Sequence, residues 1–135
     1  MTGDHPEVEY VPKGWGYEEI VVNKPEYCGK RLTFVKGKQC SLHYHLKKDE
    51  TFFVLEGKVT MLYFDDYTEL QKKVLQNASE REILSMCESI VLEAGDTFYV
   101  PQGRVHRVIA LQDSKVIEFS TEHFDEDSIR LIKGD

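Results

Sequence analysis

Short runs in which apolar and polar side chains alternate dominate this chain. In 58–64, Val59, Met61 and Tyr63 fall on one face, opposite Lys58, Thr60 and Leu62, which is the period of two that marks a strand. Segments 18–23, 30–36, 39–45, 50–56, 88–93, 97–100, 105–111 and 115–120 also read as strands, with Gly57 and the Ala94-Gly95-Asp96 triplet as turn signals. Many short strands separated by turns predict an all-β sandwich or small barrel. Residues 65–82 break the rhythm. Tyr67, Leu70, Val74 and Leu75 recur at helical spacing, and Asp65 or Asp66 can cap the start. This predicts one short helix inserted between two halves of the sheet, its apolar stripe packed on the barrel. Segment 122–135 is charged, with Ile129 and Leu131 to tie it down.

A chain of 135 residues suits one domain with a real core. The expectation is a single domain over 1–135, with a barrel core about 15–121. No apolar run is long enough to span a bilayer, and 1–13 carry neither a signal-peptide core nor a transit pattern, so the expected location is cytoplasmic. Cys28, Cys40 and Cys87 form no CxxC pair and read as reduced thiols. With 17 basic and 24 acidic residues the net charge is −7, which disfavours nucleic acid as a partner.

The candidate chemistry lies in four residues. His43 and His45, two apart on a strand, aim two imidazoles at one point. Glu50 follows just past the expected strand end, where a turn can bring a carboxylate to that point. His106 follows Gly95, Pro101 and Gly103, which stand at turn-like positions. Three imidazoles and a carboxylate make a ligand set for one divalent ion among Zn, Mn, Fe, Co and Ni. Cys40, by strand parity on the opposite face from His43, is not counted as a ligand.

These residues match two motifs. Gly37, His43, His45, Glu50 and Gly57 fit G-x5-H-x-H-x4-E-x6-G; Gly95, Pro101, Gly103 and His106 fit G-x5-P-x-G-x2-H-x3-N, with Ala110 in place of the final Asn. The chain thereby resembles the cupin superfamily, whose fold is a double-stranded β-helix, or jelly-roll, barrel. Trp15-Gly16, Glu18, Lys30-Arg31-Leu32, Ser41-Leu42, His106-Arg107, Ile117-Glu118 and 126–130 are similar to the type II phosphomannose isomerases within it. The chain departs from that group at His43, where Gln is common. It also departs at Lys47, Lys48 and Asp49, which stand for a His-Arg pair, and in its longer insertion between the motifs.

The resemblance implies a metal-dependent isomerase or epimerase acting on a sugar phosphate or nucleotide sugar. Such a substrate needs cationic anchors, and Arg107 is the first candidate, followed by Lys48 and Lys47. Strand parity points Arg107 away from His106, so a salt bridge at the edge of the core is an equal alternative. Glu118, Tyr99 and Tyr44 are acid–base candidates by type, although Tyr44, between the histidines, should face outward. Glu118 lies in the apolar stretch 116–119 and needs a partner, either Arg130 or a role inside the barrel. An iron-dependent dioxygenase and a non-catalytic carbohydrate-binding module stay open as alternatives. Cupins of this kind imply a homodimer through sheet edges, with 20–22 contributing.

Overall fold

A computed structural model describes residues 7–135. Strands β1 (Glu9–Lys13), β2 (Gly16–Lys24), β3 (Tyr27–Phe34), β4 (Leu42–His45), β5 (Glu50–Glu56) and β6 (Lys58–Phe64) come first. Two helices follow, α1 (Tyr67–Leu75) and α2 (Glu80–Ser85). Strands β7 (Glu88–Glu93), β8 (Thr97–Val100), β9 (Val105–Ala110), β10 (Ser114–Ser120) and β11 (Ser128–Ile132) complete the chain, with a 3-10 turn (Asp125–Asp127) before β11. One sheet runs β1-β2-β3-β10-β5-β8 and the other β11-β4-β9-β6-β7, and the pairings are antiparallel. The result is the jelly-roll barrel that the strand pattern and the motifs imply.

The core lies between the sheets and follows from the alternation. Val59 and Met61 on β6, Val54 on β5, Val108 on β9 and Val116 on β10 point inward and are almost completely buried. Two strands escape the hydrophobic pattern. β1 has no buried residue and so offers no alternation to read; it is an edge strand paired to β2. β11 is short, and pairing with β4 decides its conformation.

The insertion holds two helices instead of one. Asp66 caps α1 by accepting from the Thr68 N–H, and Ser79 caps α2 by accepting from the Glu82 N–H. Asn77 between them takes a left-handed conformation (φ 58°), which ends the first helix. Leu70 and Ile83 bury themselves against Leu42, Tyr44, Val105 and Ile132 on the outer face of the second sheet. The apolar stripe does pack on the barrel, except Leu75, which is 80% exposed. Among the described residues no helix is long and apolar enough to cross a membrane.

Candidate metal centre

The second sheet carries the histidines. His43 on β4 and His106 on β9 are direct cross-strand partners, with ring centroids 4.3 Å apart. His45, two residues on, faces the same way, its ring 5.1 Å from His43 and 5.9 Å from His106. One ligand nitrogen from each of the three lies within 4.8 Å of the others. Bonds of about 2.1 Å to a shared ion require ligand atoms within about 4.2 Å of each other. Small side-chain adjustments are enough to close the set.

Glu50 opens β5 in the other sheet, so the cluster spans the barrel interior. Its Oε2 lies 3.5 Å from His45 Nε2 and 3.7 Å from His106 Nε2. These are not ion pairs. Burial, the largest effect on each ring, pushes His43, His45 and His106 down to about 3, so the imidazoles are neutral at pH 7. Glu50 Oε2 and His106 Nε2 have no hydrogen-bond partner although both are buried. With Glu50 ionised, its oxygen and the His106 lone pair are two orphaned acceptors facing one another, unfavourable unless a cation sits between them. The donor set therefore fits a divalent ion.

Neighbouring groups fix the ring orientations. His43 Nδ1 lies 2.9 Å from the Ser41 carbonyl and His106 Nδ1 lies 3.1 Å from the Arg104 carbonyl. A proton on each Nδ1 leaves Nε2 as the free lone pair, the usual tautomer for a metal-binding histidine. Asp127, in the 3-10 turn, takes the backbone N–H groups of Leu46, Lys47 and Lys48 on its carboxylate at 3.1, 2.9 and 3.0 Å. It thereby clamps the loop joining His45 to Glu50. The sequence pattern did not single it out, because a carboxylate capping a distant loop leaves no periodic signal.

A cavity of about 560 Å³ opens onto the cluster, lined among others by Trp15, Lys30, Lys48, Glu118 and His123. Lys48 and Glu118 are paired at 2.5 Å, and Lys48 also meets His123 Nδ1 at 3.0 Å. Burial alone would raise the Glu118 carboxyl, but the Lys48 and Lys30 ammonium groups outweigh it and hold it below the usual range. Burial likewise pulls Lys48 down, and the Glu118 and Glu50 carboxylates more than reverse this. Glu50 goes the other way: burial, then the neighbouring Glu118 charge, raise it well above the usual range. The partner of Glu118 is Lys48, not Arg130. Lys30, cross-strand from Glu118 and bonded to Glu18 at 3.2 Å, and His123 were not foreseen as site residues; neither lies in the two ligand motifs.

Three expected site residues lie elsewhere. Tyr99 is 52% exposed, and its hydroxyl donates to Asp49 at 2.9 Å outside the cavity lining. Parity on β8 alternates Tyr99 with the inward Val100. The Lys47 ammonium lies over the Phe124 ring, 5.7 Å from its centroid, since adjacent residues of the clamped loop diverge. Arg107 is buried on the opposite face of β9 from His106 and donates to the Lys133 carbonyl at 3.0 Å. It makes no salt bridge among the described residues. Tyr44 also faces away from the histidines, stacked on Tyr67 at 4.6 Å. Cys40 departs from the parity expectation: β4 begins only at Leu42, so Cys40 turns to the cavity, where its Sγ accepts from the Val108 N–H.

A family profile described as cupin matches residues 27–130. Among curated proteins, the chain is 35% identical over 77 residues to the JmjC domain-containing histone demethylation protein 1 of Caenorhabditis briggsae, covering 56% of this chain and 7% of that protein. The chain thus spans only a small fraction of that relative. Among solved structures, KdgF from Halomonas sp. superposes with a TM-score of 0.65 at 20% identity, covering 93% of this chain and 94% of that one. The capsular polysaccharide assembling protein CapF from Staphylococcus aureus gives 0.70 at 17% identity, over 96% of this chain and 34% of CapF. At these identities the likeness is one of fold.

Proposed function

The chain belongs to the cupin family, and on that premise we propose that it is a metal-dependent enzyme isomerising a phosphorylated or nucleotide-linked sugar. His43, His45, His106 and Glu50 would hold one divalent ion. When bound, such an ion supplies Lewis acidity toward a sugar carbonyl. The observation that carries the reading is the buried, ionised Glu118–Lys48 pair in the same cavity as the histidines. An acid–base group beside a Lewis-acid site is what moving a proton between adjacent carbons of a sugar requires. Glu118 takes the proton from the carbon next to the carbonyl and returns it to the carbonyl carbon, while the hydroxyl proton passes to the former carbonyl oxygen. Lys48 and Lys30 keep Glu118 ionised and ready to accept.

The outer cavity supports an anionic substrate. Lys13, Arg130 and Lys133 line it with exposed side chains, and none has an ion-pair partner among the described residues. The likeness to CapF, a capsular polysaccharide assembling protein, adds a link to carbohydrate. We further infer a homodimer through the outer face of the first sheet, where Val21, Tyr27 and Phe119 are each more than half exposed. Static light scattering tests it, and a monomeric mass would overturn it.

The test of activity is metal analysis of the purified protein followed by a screen of sugar phosphates for ketose formation. Turnover that is independent of oxygen and lost in His45→Ala supports isomerisation. Oxygen consumption after adding Fe(II) would overturn it in favour of an oxygenase. Ligand-induced thermal stabilisation without product would mark a binding module instead.

A further inference from the structure

The last three residues, Lys133, Gly134 and Asp135, line the cavity that opens onto the histidine cluster. They are held there from several directions. The Asp135 N–H donates to the Gln39 carbonyl at 3.0 Å, and its side-chain carboxylate accepts from the Gln39 N–H at 2.9 Å. Gly134 lies against the backbone of Cys40 and Ser41 so closely that a Cβ there would collide with it. Gly14, next to Trp15, likewise has no room for a Cβ against the Asp135 backbone. Two glycines from opposite sides thus let main chain meet main chain without a gap.

The remaining hold comes from Arg107, reaching out from the face of β9 turned away from the metal centre. The residue is only 3% exposed; its Nε has no partner, and the Lys133 carbonyl is its one hydrogen-bond acceptor among the described residues. A buried charge with a single acceptor is costly to strand. Losing the segment's docked position would strand it.

We propose that residues 133–135 form a strap that walls the cavity and controls solute access to it, with Arg107 as the positioning residue that holds the strap. The functional meaning of the strap rests on reading this cavity as the substrate site. Its existence does not.

Trp15 is the only tryptophan of the chain, is 8% exposed and lines the same cavity, so acrylamide quenching of its fluorescence reports access directly. Arg107→Met and deletion of 133–135 are expected to raise the quenching constant roughly twofold or more through local opening. Arg107→Lys, which keeps one donor for the Lys133 carbonyl, should stay near the wild-type value. Far-UV circular dichroism and cooperative thermal unfolding should persist in all three. Unchanged quenching in Arg107→Met and in the deletion overturns the strap. A lysine variant as accessible as the methionine variant overturns the role of Arg107. If Arg107→Met does not fold, the deletion decides alone. With mannose 6-phosphate, Arg107→Met, which leaves the cavity's own cations in place, should show a raised KM and a largely kept kcat. No turnover in the wild type would sink the isomerase reading, while the quenching result would still decide the strap.

Discussion

The Lys48 ammonium stands 2.5 Å from a Glu118 carboxylate oxygen, with the two side chains only 2% and 5% exposed. Removing one member leaves the other buried without its counter-charge. Glu118→Ala should therefore cost about 3–5 kcal/mol of stability, read as a lowered midpoint in urea. Replacing both, with Lys48→Met and Glu118→Leu, should recover most of that loss. A double variant as unstable as the single one would sink this account.

Glu50 is the one expected ligand whose metal-binding form is disfavoured by its burial. The three imidazoles are already neutral at pH 7, whereas the buried Glu50 carboxyl is raised well above the usual range. A ligating carboxylate must be ionised, so metal affinity should weaken as pH falls, with proton release wherever Glu50 still holds its proton. Calorimetry in buffers of different ionisation enthalpy measures the release. Glu50→Gln should abolish it, and a release that survives this change would contradict the assignment.

The same imidazoles make the metal-free protein acid-sensitive. Their folded values sit near 3 against an ordinary 6.5, so between these limits the unfolded chain binds more protons. Stability present above pH 6.5 is lost as pH falls toward 3. Glu50, shifted the other way, offsets part of that loss. Thermal unfolding in EDTA should show Tm declining below pH 6.5; a flat profile down to pH 4 would refute it.

Asp127 holds three successive backbone N–H groups of the loop between His45 and Glu50. Its oxygen also lies 3.9 Å from His45 Nδ1. Asp127→Ala should loosen that loop and lower metal affinity about tenfold or more, as losses of supporting groups around metal ligands do. Titration with Co(II), followed by its absorption, gives the comparison with wild type.

Gly37 and Gly57 occupy the two ends of the first motif, and both have positive φ, 85° and 90°. Around Gly37 nothing lies within 4 Å of an added Cβ, whereas at Gly57 that atom would run into Asp113 and Ser114. Gly37→Ala should cost only the backbone term, about 1–2 kcal/mol. Gly57→Ala should cost clearly more, because the β5–β6 turn must also move. Equal losses in chemical denaturation would show that the contact is easily relieved.

Much of the barrel was legible locally. Strands β5, β6, β7 and β8 run over the ranges predicted; β5 and β6 have one buried face, which writes its period into the chain. The β1 edge, which has no buried residue, writes nothing. The break at Asn77 was hidden because no glycine or proline interrupts 65–85; an asparagine makes the turn after the spacing of Tyr67, Leu70 and Val74. At the candidate site, spacing brought His43 and His45 to one face, but no local pattern reaches from Lys48 to Glu118 or from Asp127 to Leu46.

The sequence by itself determined an alternating all-β chain and the residue types of a ligand set, since both depend on short-range parity and motif spacing. The tertiary structure alone decided which charged side chains share the cavity. Glu118 and Lys30 meet there as cross-strand partners of β10 and β3, and Lys48 and His123 reach them from the loops before β5 and after β10. Tyr99, Lys47 and Arg107 are turned away by the same pleat and loop geometry. Burial then sets their electrostatics: the environment that keeps the imidazoles neutral also raises Glu50, and its paired lysines hold Glu118 ionised.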